Sequence, residues 1–511
     1  MLDRTWTLAL NTLLLSGATC AMAVPLGGVL ALALVRTDLP GRKPALVLLG
    51  VLVFLPLYLQ AAAWQAGFAA QGWFTLISAG PVRLQGWPGA VWVHVMAALP
   101  WVVLIVGAGL WWVEPELEEQ ALLDGSPWQV FCRVTWRNAL TSVGLAALWV
   151  LITTAGEMTV TDLFSVRTYA EELYTQYAVG NEPGHAPLAV LPGVILTAVL
   201  VAAGLALCVA LVSRDRPLSL RPRRVFPLGR WRAPVGALVA AGLLLLVGIP
   251  LGSLCYKAGV VVSLTDEGWQ RGWSLWKCLG IAAASPLRYR REFAWSLGIG
   301  ALAASAAVVA GAGLAWLALA GRRATLLRRL AAAGVLAVAA LGLALPGPVL
   351  ALGTIRLLNH PAWAAIGWPA DVDLYGRTIL GPWLVLCARG LAPAVFILWH
   401  AFRTVPPELM ECAALEGAGS WTRLGRIVLP SRLQAVGLAW LVAFAVAVAD
   451  LAASVLVVPP GMTTLAIRIF DLLHAGVEDQ VAGICLAQAA MFALLGGAVV
   501  WLARRWSATP A

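Results

Sequence analysis

The chain has 511 residues, of which 61% are hydrophobic and 12% charged, with a formal net charge of +10. This composition excludes an ordinary soluble domain, because its repeated long apolar runs match the ~30 Å hydrocarbon core of a bilayer. The basic residues lie in short loops between these runs, where they set membrane orientation. The positive charge therefore does not predict a nucleic-acid partner.

Eleven apolar runs predict eleven membrane-spanning helices, and hence an all-α polytopic membrane protein in contact with lipid. Each run is long enough to cross the bilayer as a helix at ~1.5 Å of rise per residue. The predicted spans are 7–35, 45–69, 88–113, 139–164, 186–212, 235–257, 294–320, 329–355, 379–402, 433–457 and 480–503. The first run continues to Val35, too far for a usual signal peptide, so we expect no cleavage.

Lys and Arg are distributed unequally between the alternating loops. One set, which includes 114–138 and 403–432, holds 22 of the 35 basic residues, and the opposite set holds 12. Half of those 12 lie between Lys257 and Arg291. Because cytoplasmic loops are enriched in Lys and Arg, the richer set is predicted to be cytoplasmic. With eleven spans this orientation places Met1 outside, which a missing N-terminal span would explain.

The segment Ser213–Pro234 is basic, interrupted by prolines and not apolar. It predicts a cytoplasmic linker between two halves. We therefore divide the chain into a first half at 1–212, the linker at 213–234 and a second half at 235–511.

Thirteen residues occur twice, 292 positions apart, and eight of the thirteen are identical. The first copy is VEPELEEQALLDG, Val113–Gly125, and the second is VPPELMECAALEG, Val405–Gly417. Six predicted spans end between the copies, an even number, so both copies face the predicted cytoplasm. The duplication therefore predicts two parallel repeats, each with an equivalent polar helix.

Each copy has the residues of a short helix with a defined start and stop. Pro115 and Pro407 suit a first turn, and acidic residues near them favour the positive helix end. Gly125 and Gly417 suit the left-handed conformation that ends a helix. The residues predicted to form the docking surface are Glu119, Ala121, Asp124 and Gly125, and in the second copy Glu411, Ala413, Glu416 and Gly417.

Two interpretations of these helices remain open. Short helices between spans can lie on lipid headgroups, but such helices usually carry Lys and Arg on the polar face. Neither copy contains a basic residue, and acidic helices are unfavourable beside an anionic leaflet. Docking to a basic protein surface is the favoured interpretation.

The second copy resembles the EAA loop of binding-protein-dependent ABC importer permeases. The resemblance rests on Glu411-Cys412-Ala413-Ala414-Leu415-Glu416-Gly417 followed by Ile427-Val428-Leu429-Pro430, with Cys412 in place of the first alanine. The first copy departs further: it keeps Glu119, Ala121 and Gly125, but carries Gln120, a one-residue deletion, and Trp136-Arg137 where Leu-Pro is expected.

This resemblance implies a coupling helix in each half, seated in a groove of one of two cytoplasmic ATPase subunits. It also implies an external solute-binding protein, a bacterial cytoplasmic (inner) membrane location, and ATP and Mg bound by the partner subunits rather than by this chain. Flanking segments are similar to the fused permeases for ferric iron and thiamine: Asn11-Thr12-Leu13, Arg36–Arg42 and Leu345–Leu350. The implied cargo is ferric iron, with thiamine or another small solute next.

Glu157 and Asp450 occupy matching positions in the spans that follow the two loops. An ionised carboxylate at mid-bilayer costs ~2.5–3.5 kcal/mol, so each should face a cavity or a partner. They could line a translocation pathway or serve as structural hydrogen-bonded carboxyls, and Arg389 could pair with one of them. His94 and His400 lie in no metal-like cluster and are interpreted as structural.

Motifs for catalysis are absent from the sequence. No G-x-x-x-x-G-K-[ST] occurs, so we expect no ATP hydrolysis by this chain, and no H-E-x-x-H or G-x-S-x-G predicts a hydrolase. We expect no metal site, and among the scattered cysteines only Cys255 and Cys278 could meet outside the membrane. The alternative function is a parallel-repeat secondary transporter driven by an ion gradient.

Overall fold

The computed structural model describes residues 2–178 apart from 71, 79–80, 83, 112 and 114; 195, 199–200 and 202–203; 225–265; 268–320; 326–365; and 374–507. Contacts divide the chain into two compact units. The first comprises Met1–Arg288 and Ile469–Ala490, and the second comprises Tyr289–Arg468 and Met491–Ala511. The helices Leu465–His474 and Glu478–Ser507 run from one set of residues into the other.

The first unit is built from helices and one hairpin. Its helices are Leu2–Arg36, Arg42–Leu52, Leu57–Phe68, Trp73–Ser78, Gly86–Trp111, Pro115–Asp124, Pro127–Val130, Trp136–Ala155, Thr159–Leu163, Tyr169–Ala178, Arg232–Leu243, Ile249–Gly259 and Leu275–Arg288. π-helical turns occupy Phe131–Thr135 and Leu244–Gly248, and a 3₁₀ turn occupies Gly229–Trp231. The strands Val260–Thr265 and Gly268–Trp273 pair antiparallel, with Val260 opposite Trp273.

The regular elements of the second unit are all helical within its described residues. Its helices are Arg290–Ala320, Leu326–Ala344, Gly347–Leu358, Ala362–Ala365, Leu380–Arg403, Pro407–Leu415, Ser420–Arg423, Leu429–Ser431 and Leu433–Ala449. A π-helical turn spans Leu424–Val428, and a 3₁₀ turn spans Ser454–Leu456.

The described residues confirm an all-α polytopic membrane protein. Seven of their helices are long and apolar enough to cross a membrane, and up to ten spans result if each of three bent pairs counts as one. The seven are Trp6–Arg36, Gly86–Trp111, Trp128–Ala155, Gly229–Gly259, Arg290–Leu319, Leu380–Arg403 and Glu478–Ala498. The predicted span 186–212 lies almost wholly outside the described residues.

Two predicted spans are bent at prolines. The pair Arg42–Leu52 and Leu57–Ser78 bends by 104°, and the pair Gly334–Gly342 and Gly347–Leu358 bends by 105°. Pro56 and Pro346 stand at the starts of the second segments with extended ψ angles of 145° and 138°. Proline lacks an N–H and crowds the preceding turn, so a helix cannot continue straight through it.

The predicted spans 139–164 and 433–457 are too long. The first helix ends at Ala155 and the second at Ala449, so Glu157 and Asp450 lie beyond the helix ends rather than within a helix. Hydropathy alone missed both breaks because the residues after them remain apolar.

The predicted linker lies only partly within the described residues, since 213–224 is outside them. Phe226 forms an isolated parallel bridge with Thr37, and the helix beginning at Arg232 already includes the last linker residues. Contacts group this helix with the first unit. The division into halves at 213–234 rests on the sequence repeat and stays a prediction.

Each unit buries its own apolar core beside its loop helix. In the first unit this core includes Val102, Val106 and Val150, all fully buried. In the second unit one cluster includes Leu398 and Val428, likewise fully buried. These cores hold the spans that precede and follow each duplicated loop, and so position the candidate site.

Candidate functional site

Both copies of the duplicated segment begin with the same series of elements, a loop helix, a four-residue helix and a five-residue π-helical turn. The spanning helix follows directly in the first copy, whereas in the second copy it follows the short helix Leu429–Ser431 and an 84° bend. We call Pro115–Asp124 the first loop helix and Pro407–Leu415 the second loop helix. Their π-helical turns, Phe131–Thr135 and Leu424–Val428, are 293 positions apart. Trp128 and Trp421, which precede them, are separated by the same offset. Since π-helical turns are rare, their recurrence supports the repeat, although the sequence analysis did not predict them.

The second loop helix ends at a left-handed glycine, as predicted. Gly417 has φ +79°, and its N–H donates to the Ala414 carbonyl at 3.1 Å. The Ala418 N–H reaches back to the Ala413 carbonyl at 2.9 Å. These two bonds form a Schellman motif, which satisfies carbonyls that the helix end would otherwise leave unpaired.

The first loop helix ends differently, so the prediction of a left-handed Gly125 was wrong. Gly125 does not have a positive φ. Ser126 instead begins the next helix: its N–H donates to Gln129 Oε1 at 3.0 Å, and the Gln129 N–H donates to Ser126 Oγ at 3.4 Å. This reciprocal pair is a capping box. Because the first copy is one residue shorter, the next helix starts at Pro127, directly after the cap.

One acidic residue of the first loop helix faces inward. Glu118 is fully buried, and its Oε1 lies 2.5 Å from Nη2 of Arg36, which is also buried. Thr135, in the π-helical turn, donates a second hydrogen bond to the same carboxylate at 2.5 Å. Glu118 is therefore a structural anchor between loop and span, and the acidic surface consists of other residues. The second copy has Met410 at this position.

The exposed surfaces of the two loop helices share one apolar residue that the sequence analysis did not single out. Leu123 is 85% exposed and the matching Leu415 is 88% exposed. Both are identical positions of the duplicated segment, and this identity is the signal that could have identified them. The acidic residues predicted for docking are exposed as well: Glu119 and Asp124 on the first helix, and Glu411 and Glu416 on the second.

Trp128 and Trp421 extend each surface with a large, exposed ring. Trp128 is 71% exposed, and Trp421 is 61% exposed. In contrast, Ala413 is buried and Ala121 is partly buried. The small side chain of Ala413 therefore admits packing within its own unit. Each loop helix thus presents an exposed leucine and carboxylates, and the short helix after it presents an exposed tryptophan, a combination suited to a basic surface with an apolar pocket.

Glu157 caps the turn that follows the first unit's broken span. Its two carboxylate oxygens accept the N–H groups of Thr159 at 2.7 Å and Val160 at 2.9 Å. His94 Nε2 lies 3.5 Å from Glu157 Oε2, and His94 Nδ1 lies 2.8 Å from the Ala90 carbonyl. His94, interpreted as structural, is thus the neighbour of a predicted pathway residue.

Asp450 has the same arrangement in the second unit. Its Oδ1 accepts the N–H groups of Ala453 at 3.0 Å and Ser454 at 3.1 Å. Its Oδ2 lies 3.2 Å from Arg389 Nε, and both side chains are about 10% exposed. The structure therefore brings Arg389 to Asp450, the pairing that the sequence left open.

These contacts decide what the two carboxylates can do chemically. Each carboxylate accepts hydrogen bonds from backbone N–H groups that the helix break leaves without a helical partner, and each contacts a basic side chain. Both carboxylates are therefore already engaged within the protein. Asp450 also lines a small cavity with Trp295, Ser296 and Thr464. The arrangement favours a fixed break in the span, while the predicted pathway role of Glu157, Asp450 and Arg389 stays a prediction. Among the described residues, no group of three His, Cys, Asp or Glu side chains could hold a metal ion.

Comparison with known proteins relates part of the chain to a transporter subunit. No family model matches the chain. It is 31% identical over 135 residues to the putrescine transport system permease protein PotI of Escherichia coli K12, and equally to PotI of Escherichia coli O6:H1. The match covers 26% of this chain and 46% of each relative, so the chain spans about half the length of the curated relatives it matches. This similarity supports the ABC importer permease resemblance, but gives no support to the narrower ferric iron or thiamine type.

Proposed function

We propose that this chain is the permease subunit of a binding-protein-dependent ABC importer in a bacterial cytoplasmic membrane. Two separate ATPase subunits would dock on the two loop helices and supply ATP hydrolysis, and an external binding protein would deliver the solute. The chain itself would form the path through the membrane. The partial similarity to a transport system permease supports this class.

The duplicated, exposed surface of the loop helices carries the proposal. A helix on lipid would turn its apolar residue toward the bilayer and its basic residues toward headgroups. Here Leu415 is 88% exposed and stands between Glu411 and Glu416, with no basic residue on the helix. The same arrangement recurs at Leu123. An exposed leucine ringed by carboxylates fits an apolar pocket with a basic rim, as a protein partner can provide.

For the cargo we propose a small cationic solute, and a diamine of the putrescine class before ferric iron. The support for the diamine is the name of the partially similar permease, whereas no comparison supports iron. Uptake of labelled putrescine by vesicles containing the permease, its ATPase and its binding protein would be measured with and without excess ferric citrate. If excess ferric citrate blocked the uptake of putrescine, ferric iron would be placed before the diamine as the cargo.

Docking is tested at the second loop helix. Leu415→Ala and Glu411→Lys should each weaken co-purification of the ATPase subunit and lower ATP-driven uptake, because one removes the apolar contact and the other opposes a basic rim. Leu433→Ala is the matched control, since Leu433 is a 65% exposed leucine in the same unit but outside the loop helix. Glu119→Lys should have the smaller effect, because the first copy departs further from the family pattern.

Two outcomes would contradict the proposal. Unchanged ATPase binding and uptake in both Leu415→Ala and Glu411→Lys would remove the docking role. Uptake driven by a proton or sodium gradient, without any ATPase subunit, would favour the secondary transporter instead.

The orientation is tested separately with reporter fusions. Fusions after Gly125 and Gly417 should report cytoplasm, and a fusion after Asp266 should report the exterior, because the Lys and Arg asymmetry predicts these sides. A cytoplasmic signal after Asp266 would overturn the predicted orientation.

A further inference from the structure

The hairpin that follows Gly259 brings two cysteines together. Its strands pair antiparallel from Val260 opposite Trp273, and the Ser274 N–H donates to the Gly259 carbonyl at 2.8 Å, closing its base. Cys255 lies in the helix that leads into the hairpin, and Cys278 lies in the helix that leaves it. Each stands five residues from the base pair, and the two helices that carry them, Ile249–Gly259 and Leu275–Arg288, pack against each other.

Side-chain contacts confirm this juxtaposition. The side chains of Cys255 and Cys278 interact with each other, and the helices that carry them pack together. Trp273 Nε1 donates to the Cys255 carbonyl at 3.3 Å, and the Cys278 N–H donates to the Ser274 carbonyl at 3.1 Å. These two hydrogen bonds help to fix the segments that carry the cysteines. Thiols already in contact need only small side-chain rotations to reach disulfide geometry.

Other cysteines show what an unpaired environment looks like in this protein. The Cys20 thiol lies 3.8 Å from the Ala147 carbonyl, and the Cys387 thiol lies 3.8 Å from the Ala303 carbonyl. Such thiols behave as small hydrophobic side chains within spans. Cys255 and Cys278 differ, because they meet at the end of a span beside a loop that the charge asymmetry places outside.

We propose that Cys255 and Cys278 form a disulfide that closes the base of the hairpin. The predicted external side is an oxidising environment in which disulfides form and persist. This inference rests on the orientation in the proposed function, but not on the identity of the cargo or of the ATPase.

The bond forms by two exchanges with the disulfide of an external thiol–disulfide oxidoreductase. The thiolate of Cys255, the more exposed of the two, attacks that disulfide to give a mixed disulfide and releases one oxidant thiolate. The Cys278 thiolate then attacks the Cys255 sulfur and releases the second. The protein loses two electrons and two protons, and the oxidant gains both as a dithiol.

The disulfide would reinforce two ion pairs at the same place. Lys257, two residues from Cys255, pairs with Glu478, and Lys277, beside Cys278, lies 3.4 Å from Asp479. Glu478 and Asp479 begin the last long helix. The cross-link would hold both lysines in register with these adjacent carboxylates.

The test counts reducible thiols in full-length protein from native membranes. Exchange is first stopped by acid precipitation, and the free thiols are blocked with N-ethylmaleimide in denaturant at neutral pH. The sample is then reduced and tagged with a polyethylene-glycol maleimide. Wild type should gain two tags after reduction, whereas Cys255→Ser and Cys278→Ser should gain none. Cys412→Ser is the matched control, because Cys412 is exposed on the predicted cytoplasmic side, and it should still gain two.

Peptide mapping of the unmodified wild type provides a measurement that does not depend on variant folding. Non-reducing digestion should yield one linked pair of peptides containing residues 255 and 278. A wild type that gains no tags, or tags that persist in Cys255→Ser, would overturn the disulfide. The reporter fusion after Asp266 shows why such a result is negative. An external signal without tags rejects the disulfide alone, whereas a cytoplasmic signal rejects the orientation on which the disulfide rests.

Discussion

Replacing one glycine in each copy of the duplicated loop separates backbone strain from every other effect. Gly417 has φ +79°, and a Cβ built on it meets no atom within 4 Å. Gly417→Ala therefore adds strain without a clash. Gly125 does not have a positive φ, and its Cβ would lie 3.2 Å from the flexible Gln129 Oε1. Gly125→Ala is thus the matched substitution without the strain.

The expected magnitudes have opposite signs. A left-handed alanine costs about 1–2 kcal/mol, so the Schellman end of the second loop helix should open about 5–30 times more often. At Gly125 the alanine restricts the unfolded chain and contributes about 0.4–1 kcal/mol of stability, offset by a small shift of Gln129. The first loop helix should therefore be unchanged or slightly more stable.

Hydrogen exchange measures this difference directly. The informative amides are those of Gly417 and Ala418, which donate to the Ala414 and Ala413 carbonyls. Their exchange should accelerate in Gly417→Ala, while peptides covering 115–130 should keep wild-type rates in Gly125→Ala. Equal exchange in Gly417→Ala and wild type, or a larger acceleration in Gly125→Ala, would refute the assignment of the two helix ends.

Two further predictions concern buried and surface charges. Glu118→Gln should destabilise the protein by about 3–5 kcal/mol, because it removes the buried carboxylate charge that pairs with Arg36, whereas the exposed Glu119→Gln should change the thermal unfolding temperature little. The Asp162 carboxylate, whose Oδ2 lies 3.1 Å from His474 Nε2, raises the pKa of His474 above its usual 6.5. This pairing therefore stabilises the folded state fully below the unfolded pKa, and that stabilisation is lost as pH rises through the folded pKa. Asp162→Asn should therefore lose more thermal stability at pH 5.5 than at pH 8.5, and an equal loss at both would contradict the pairing.

The sequence predicted the features that depend on composition and repetition. Apolar runs identified the spanning helices, and the duplicated segment identified both loop helices within a few residues of their observed bounds. Gly417 was placed correctly because left-handed glycine at a helix end is a local property. These features need no knowledge of which segments meet in space.

Features that depend on tertiary contacts were missed or misplaced. In the sequence, Glu118 looks like one more acidic residue of the surface. Only the fold shows that it is buried against Arg36, which lies 82 residues earlier in the chain. The prediction of a left-handed Gly125 was wrong because the first copy lacks one residue, and this deletion changes which residue caps the next helix. Glu157 and Asp450 were placed within spans because hydropathy does not detect a break whose N–H groups are satisfied by a carboxylate.

The exposed surfaces of the two loop helices are therefore more alike than the buried contacts that hold each helix in place. Leu123 and Leu415 are exposed to nearly the same extent, yet the first loop helix is anchored by a buried ion pair, and the second has Met410 at the corresponding position. A surface shared by two copies whose internal contacts have diverged is expected when the shared constraint comes from outside the chain. Because the two helices end in different ways, the two docking sites of the proposed function would have similar chemistry but unequal rigidity. Unequal effects of Leu123→Ala and Leu415→Ala on uptake, with equal loss of apolar area, would follow from that difference in support.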